Sequence, residues 1–188
     1  MKAPRFLPIL LFLAILPAWG GHPKGPAAVL LKVYDGDTVQ VRWIPEGKET
    51  PKFGSGGGQV DKVRLIGIDA PEEWESDKLE LDVKKTHRSA DSIRMAGFKA
   101  GEKLRSLAPP GTEVFLEFDR ERRDKYGRLL AYLWRKDGLM LNREMVRAGF
   151  AKAYQVKPNT RHLPEFWKLS RSAMKAKLGL WKDGGLEK

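Results

Sequence analysis

The chain has 188 residues, with 35 Lys+Arg against 24 Asp+Glu, a formal net charge of +11 and no Cys. That length suits one domain whose core needs neither disulfides nor a structural metal. The missing Cys excludes thiol catalysis, zinc ribbons and iron–sulfur clusters, and the basic excess points to polyanions such as nucleic acid or anionic lipid.

The N-terminus is basic at Lys2 and Arg5, then uncharged from Phe6 to Trp19, with a small-residue exit at Ala18-Trp19-Gly20. Residues 1–20 resemble a secretory signal peptide, with cleavage expected after Gly20. The apolar stretch is short for a bilayer span, which needs roughly 20 apolar residues. Export to the medium or the periplasm is the expectation, with membrane anchoring the outcome if the segment is not cleaved. Its removal takes away two bases and no acid, so the mature chain keeps a net +9. Residues 21–27 read as a short linker, 28–182 as one domain and 183–188 as a tail.

Ala28–Tyr34 and Thr38–Trp43 are rich in β-formers and are joined by Asp35-Gly36-Asp37, a hairpin signal. Pro45 to Gln59, with Gly54, Gly56, Gly57 and Gly58, reads as a loop at a hairpin tip. A third strand covers Val60–Ile68, and Ala70-Pro71 stops it. Residues 72–82 hold six acids and Lys78, which suggests a mobile surface loop. From Ser89 to Ala108, Ile93, Ala96, Ala100, Leu104 and Leu107 recur at helical spacing. Glu113–Asp119 and Leu129–Trp134 are the next strands, with a basic loop between them. A short helix follows over Leu139–Ala148. Pro164 then opens a last helix whose expected buried stripe is Leu163, Phe166, Trp167, Ser170, Met174 and Leu178. Five short strands with a helix between the third and fourth make a mainly-β, α+β chain: an OB-fold, a five-stranded Greek-key barrel.

Several polar residues stand where chemistry could occur. Asp37 lies at the tight turn and Asp69 at the end of the third strand, and hard cations such as Ca²⁺ take several oxygens from such groups. Turn acids also satisfy turns with no ion present. Arg64 and Arg128 carry the planar fork that fits phosphate, although single arginines are commonly surface ion-pair partners. Glu72 is a candidate base near the proposed ion, with Glu73 and Glu75 close enough that composition does not separate them. His22, His87 and His162 are far apart, which disfavours a His-based site.

Asp35-Gly36-Asp37-Thr38, Arg64-Leu65-Ile66-Gly67-Ile68-Asp69-Ala70-Pro71-Glu72 and Asp124-Lys125-Tyr126-Gly127-Arg128-Leu129-Leu130-Ala131-Tyr132 together resemble the staphylococcal nuclease (thermonuclease) family. Gly149-Phe150-Ala151, Lys157-Pro158-Asn159 and Leu178-Gly179-Leu180-Trp181 extend the resemblance, in the family's order, from Ala28 to Trp181. The resemblance implies an OB-fold barrel with three helices. It also implies Ca²⁺-dependent hydrolysis of phosphodiesters in DNA and RNA, leaving 3′-phosphates. Asp37 and Asp69 match carboxylate ligands of Ca²⁺, and Ala70 matches a position that offers its backbone carbonyl. Arg64, Glu72 and Arg128 match the catalytic set, with Glu72 selected because it directly follows the Pro. Lys125, Tyr126 and Tyr154 match positions lining the nucleotide pocket. Position 70 is Ala where the family's reference enzyme has Thr, the 45–59 loop is longer and Gly-rich, and the segment between Glu73 and Ser89 is longer and more acidic.

The expected partner is therefore nucleic acid, handled by a monomer with no obligate protein partner. Residues 120–136 carry seven Lys/Arg against two acids, and residues 157–182 carry seven against one, a substrate track on which exposed aromatics could stack bases. The rival reading is a non-catalytic OB module that binds a polyanion. A weaker one is attachment to a membrane surface through the basic patches.

Overall fold

The computed structural model describes residues 25–48 and 58–184. The expected signal segment, most of the Gly-rich loop and the last four residues lie outside the described residues. The described chain runs β1 (Ala27–Val33), β2 (Thr38–Trp43), β3 (Val60–Leu65), β4 (Ile68–Asp69), α1 (Asp77–Thr86) and α2 (Ala90–Leu107). It continues through β5 (Glu113–Glu117), β6 (Leu129–Arg135), α3 (Leu141–Arg147), β7 (Lys152–Ala153), α4 (Leu163–Lys175) and a 3₁₀ turn at Gly179–Asp183.

Five strands close a barrel in the order β1-β2-β3-β6-β5, with β5 returning to β1. The β3–β6 contact is parallel and the other four are antiparallel. Alternation drives the closure: Val39 and Val41 on β2, Val63 and Leu65 on β3, and Val114 and Leu116 on β5 all point inward and are buried. Each such side chain, fully buried, contributes about 1.5–3 kcal/mol of hydrophobic stabilisation. The register also prepares the site. Thr38 pairs with Arg64 and Arg64 with Leu130, so the β1–β2 turn and the basic loop before β6 meet at the same end of β3.

The expected third strand is interrupted. Gly67 turns at a φ of 80°, and a Cβ there would lie 2.8 Å from the Phe166 ring. The chain bends, and Ile68-Asp69 pairs instead with β7. This bend lifts Asp69 away from the barrel wall.

The acidic segment read as a mobile loop is in part a helix, α1. Ser76 caps it, its Oγ accepting from the Leu79 amide at 3.1 Å. Asp77 and Glu80 occupy the first turn, and Lys84 and Lys85 the last, which suits the helix dipole. Counting acids hid this cap and this charge order. The barrel therefore carries four α-helices and a 3₁₀ turn among the described residues, not three helices. The stripe expected on α4 is also corrected: Leu163, Phe166 and Ala173 are buried, whereas Trp167, Met174 and Leu178 are exposed. Ala173 rather than Met174 continues the face begun by Leu163 and Phe166, at spacings of three and seven.

α3 brings a buried polar hub that the apolar pattern does not reveal. Asn142 donates to the carbonyl of Ile66 at 2.9 Å and accepts from the Leu133 amide at 2.9 Å. It thereby ties α3 to β6 and to the bend after β3. Among the described residues, no helix is long and apolar enough to cross a membrane.

Candidate active site

The turn after β1 begins the site. Asp35 Oδ1 accepts from the Asp37 amide at 2.9 Å, which tightens the turn and aims Asp37 inward. Asp37 is buried. Its Oδ2 accepts from the Ala70 amide at 2.8 Å and meets Arg64 Nη2 at 3.1 Å, while Oδ1 accepts from Thr38 Oγ1 at 3.2 Å. One carboxylate thus fastens the β1–β2 turn to the bend that carries Asp69. Arg64 also lies 3.6 Å from Asp69 Oδ1 and donates from Nη1 to the Leu65 carbonyl at 2.9 Å. Lys152, opposite Asp69 in the β4–β7 pair, places Nζ 3.4 Å from Asp69 Oδ2.

Glu72 follows Ala70-Pro71 out of this bend. Its backbone packs on α2 at Gly97, where an added Cβ would lie 2.4 Å from both the carbonyl carbon and the oxygen of Glu72. Mid-helix Gly→Ala ordinarily favours a helix by roughly 1 kcal/mol. Gly97→Ala is expected to do the reverse, because rigid backbone must move. A fall in Tm on thermal unfolding is the predicted result, and a rise would refute the contact.

The three neighbouring acids are separated by what they touch. Glu73 faces Arg105 at 3.8 Å and Glu75 pairs with Arg94 at 2.6 Å, both on α2. Of the three, Glu72 alone lines the cavity, and it contacts Lys78 at 2.8 Å.

The opposite wall comes from the loop before β6. Asp124 Oδ1 accepts from the amides of Tyr126 and Arg128 at 2.9 and 3.0 Å, and its Oδ2 binds Arg128 Nε at 2.7 Å. That arrangement fixes the guanidinium plane. Arg128 and Lys125 lie over the exposed Tyr126 ring, at 5.5 and 4.9 Å from its centroid. The Tyr154 amide donates to the Gly67 carbonyl at 2.9 Å, holding a second exposed aromatic at the rim. All nine residues expected at the site, Asp37, Arg64, Asp69, Ala70, Glu72, Lys125, Tyr126, Arg128 and Tyr154, line one cavity of about 590 Å³. The structure adds Lys78 and Lys152 to it. Lys78 was visible in the sequence as the single base among six acids, but its direction was not.

Charge crowding sets the electrostatics. Burial first, then the Asp37 and Glu72 carboxylates, raise the Asp35 carboxyl to about 7. Burial also works against the Asp69 charge, but Lys78, Arg64 and Lys152 outweigh it and hold its pKa below the usual carboxylate range. For Lys78, burial opposes the ammonium, yet Asp37, Asp69 and Glu72 keep its pKa above the ordinary lysine value. Arg64 follows the same pattern under Asp37 and Asp69.

The donors at this bend are of the kind that hard cations take. Asp37, Asp69 and the Ala70 carbonyl offer only oxygen. The Ala70 and Asp69 oxygens already accept a cation, the Lys78 ammonium, at 2.7 and 3.0 Å. Among the described residues, no three acidic or imidazole side chains converge as a ready-made metal cage. The residues fit Ca²⁺ through a mixed set of carboxylate and carbonyl oxygens.

A family model described as "Staphylococcal nuclease homologue" matches residues 62–183. The chain belongs to the staphylococcal nuclease family. Within that family it is 32% identical over 156 residues to the SPbeta prophage-derived endonuclease YokF of Bacillus subtilis, covering 82% of this chain and 43% of that protein. To the endonuclease YhcR of the same organism it is 28% identical over 169 residues, or 89% of this chain and 12% of that protein. To the thermonuclease of Staphylococcus intermedius it is 30% identical over 158 residues, covering 84% of this chain and 77% of that enzyme. The chain therefore spans less than half the length of these two Bacillus relatives. The staphylococcal nuclease match begins within β3, so it includes the bend, α1 and the basic loop that build the cavity.

Proposed function

We propose that this chain is an exported, Ca²⁺-dependent nuclease that hydrolyses phosphodiester bonds in DNA and RNA and leaves 3′-phosphates. The observation that carries the reading is the convergence of Arg64, Glu72 and Arg128 with the Asp37, Asp69 and Ala70 oxygens in one cavity. The endonuclease and thermonuclease names of its relatives support the same class of reaction.

Arg64 and Arg128 approach the cavity from different walls and donate to the phosphoryl oxygens of the scissile group. Fixed cations there gain most as charge builds in the transition state. Their partners Asp37 and Asp124 hold both guanidinium groups in place before substrate arrives. Glu72 accepts the proton from the attacking water. Water adds to phosphorus, the bond to the 5′ oxygen breaks, and that oxygen takes a proton from solvent and leaves as a hydroxyl. Ca²⁺, held by Asp37, Asp69 and the Ala70 carbonyl, would neutralise phosphoryl charge and help to orient water. Lys125, Tyr126 and Tyr154 bind the nucleotide beside the scissile phosphate, the exposed rings stacking on bases without regard to sequence.

The proposed unit is a monomer that acts without an obligate protein partner. Met1–Gly20 supports export. The test is digestion of DNA and RNA by protein recovered outside the expressing cell, with Ca²⁺ and with excess chelator. Cleavage in Ca²⁺ that chelator abolishes is the expected result. Binding without cleavage would favour a non-catalytic polyanion module, and retention of all protein inside the cell would overturn export.

A further inference from the structure

The Lys78 ammonium sits where a cation is wanted. Its Nζ lies 2.7 Å from the Ala70 carbonyl, 2.8 Å from Glu72 Oε1 and 3.0 Å from Asp69 Oδ1. An ammonium has three donors, and three oxygens of the bend meet them. A divalent ion takes oxygens of the same kind at roughly 2.3–2.6 Å. Two cations cannot share the Asp69 and Ala70 oxygens, since like charges so close repel strongly.

The position of this lysine in its helix is equally telling. Lys78 is the second residue of α1, at the end where the helix dipole disfavours a positive charge. The helix does not need it there, whereas the site oxygens hold it. α1 itself is lightly seated, with Leu79 its one fully buried residue. The Lys78 contacts and the neighbouring buried Leu79 together hold the start of α1.

We propose that Lys78 is a tethered competitor for the divalent cation: its ammonium closes the oxygen site in the ion-free protein, and ion binding displaces it together with the start of α1. In the ion-free state it relieves the repulsion among Asp37, Asp69 and Glu72. In the loaded state the freed lysine stands at the cavity mouth, near incoming phosphate. Metal occupancy and the position of α1 are then two readings of one equilibrium. This rests on the Ca²⁺ reading above.

The experiment is a calorimetric Ca²⁺ titration of the full chain and of Lys78→Met, without nucleic acid. It is paired with amide hydrogen exchange of residues 77–86, with and without the ion. Lys78→Met is expected to bind Ca²⁺ at least about tenfold more tightly, a shift of about 1.4 kcal/mol. In the unsubstituted protein, Ca²⁺ is expected to speed exchange in 77–86. In Lys78→Met that segment exchanges fast from the start. Equal or weaker Ca²⁺ binding by Lys78→Met, or exchange in 77–86 that Ca²⁺ leaves unchanged in the unsubstituted protein, overturns the competitor while the nuclease reading stands. Absence of Ca²⁺ binding to both proteins overturns the competitor and the Ca²⁺ assignment together. The exchange measurement on the unsubstituted chain decides the matter even if Lys78→Met does not fold.

Discussion

Glu72→Gln is expected to lower nuclease turnover by about 10²–10⁴-fold, the usual contribution of a positioned general base. The amide is nearly isosteric and keeps a carbonyl that can accept from Lys78. Its backbone seat against Gly97 is unchanged. The substituted protein should therefore unfold at nearly the same temperature. Initial rates on single-stranded DNA in Ca²⁺, beside a thermal melt, check both halves. Near-normal turnover would remove Glu72 from the mechanism. Glu73 and Glu75 would be poor replacements, since both are engaged by α2 arginines outside the cavity.

The two arginines should separate by stability while agreeing in activity. Arg64→Ala and Arg128→Ala are each expected to cost about 10²–10³ in turnover, the scale for one fixed donor to a developing oxyanion. Arg64 is mostly shielded between Asp37 and Asp69; its removal takes from buried Asp37 its ion-pair partner, whereas Asp69 keeps Lys78 and Lys152. Breaking a buried pair typically costs about 3–5 kcal/mol. Arg128 is more open, with its side chain 30% exposed, and its partner Asp124 still accepts two backbone amides without it. Loss of a pair so near the surface costs at most about 1 kcal/mol. Urea unfolding of both variants distinguishes them. Equal destabilisation would mean that Arg64 does not hold the bend together.

Periodicity made much of the barrel legible. Val39, Val41, Val63, Leu65, Val114 and Leu116 alternate in the sequence and alternate in the wall. The Asp35-Gly36-Asp37 turn announced the first hairpin. The candidate site was legible for a different reason. Its residues except Tyr154 cluster in three short runs at strand ends, and the β2–β3 and β3–β6 registers bring those runs together. Reading failed where side-chain class stood in for local hydrogen bonding. Six acids hid the Ser76 cap and a ten-residue helix. Aromatic and Met residues on α4 drew the expected stripe toward solvent, because apolar size is not the same as burial.

The sequence by itself determined which strands form, where the chain turns and which carboxylates and guanidinium groups are available, since those follow from alternation and short-range turn chemistry. Only the tertiary structure decided how they are used. Glu72, and neither neighbouring acid, faces the cavity because Gly97 lets α2 press against its backbone. Lys78 lies on the Ala70 and Asp69 oxygens because α1 folds and leads it there. Both outcomes depend on contacts between segments separate in the chain, and charge counts along a sequence carry no direction.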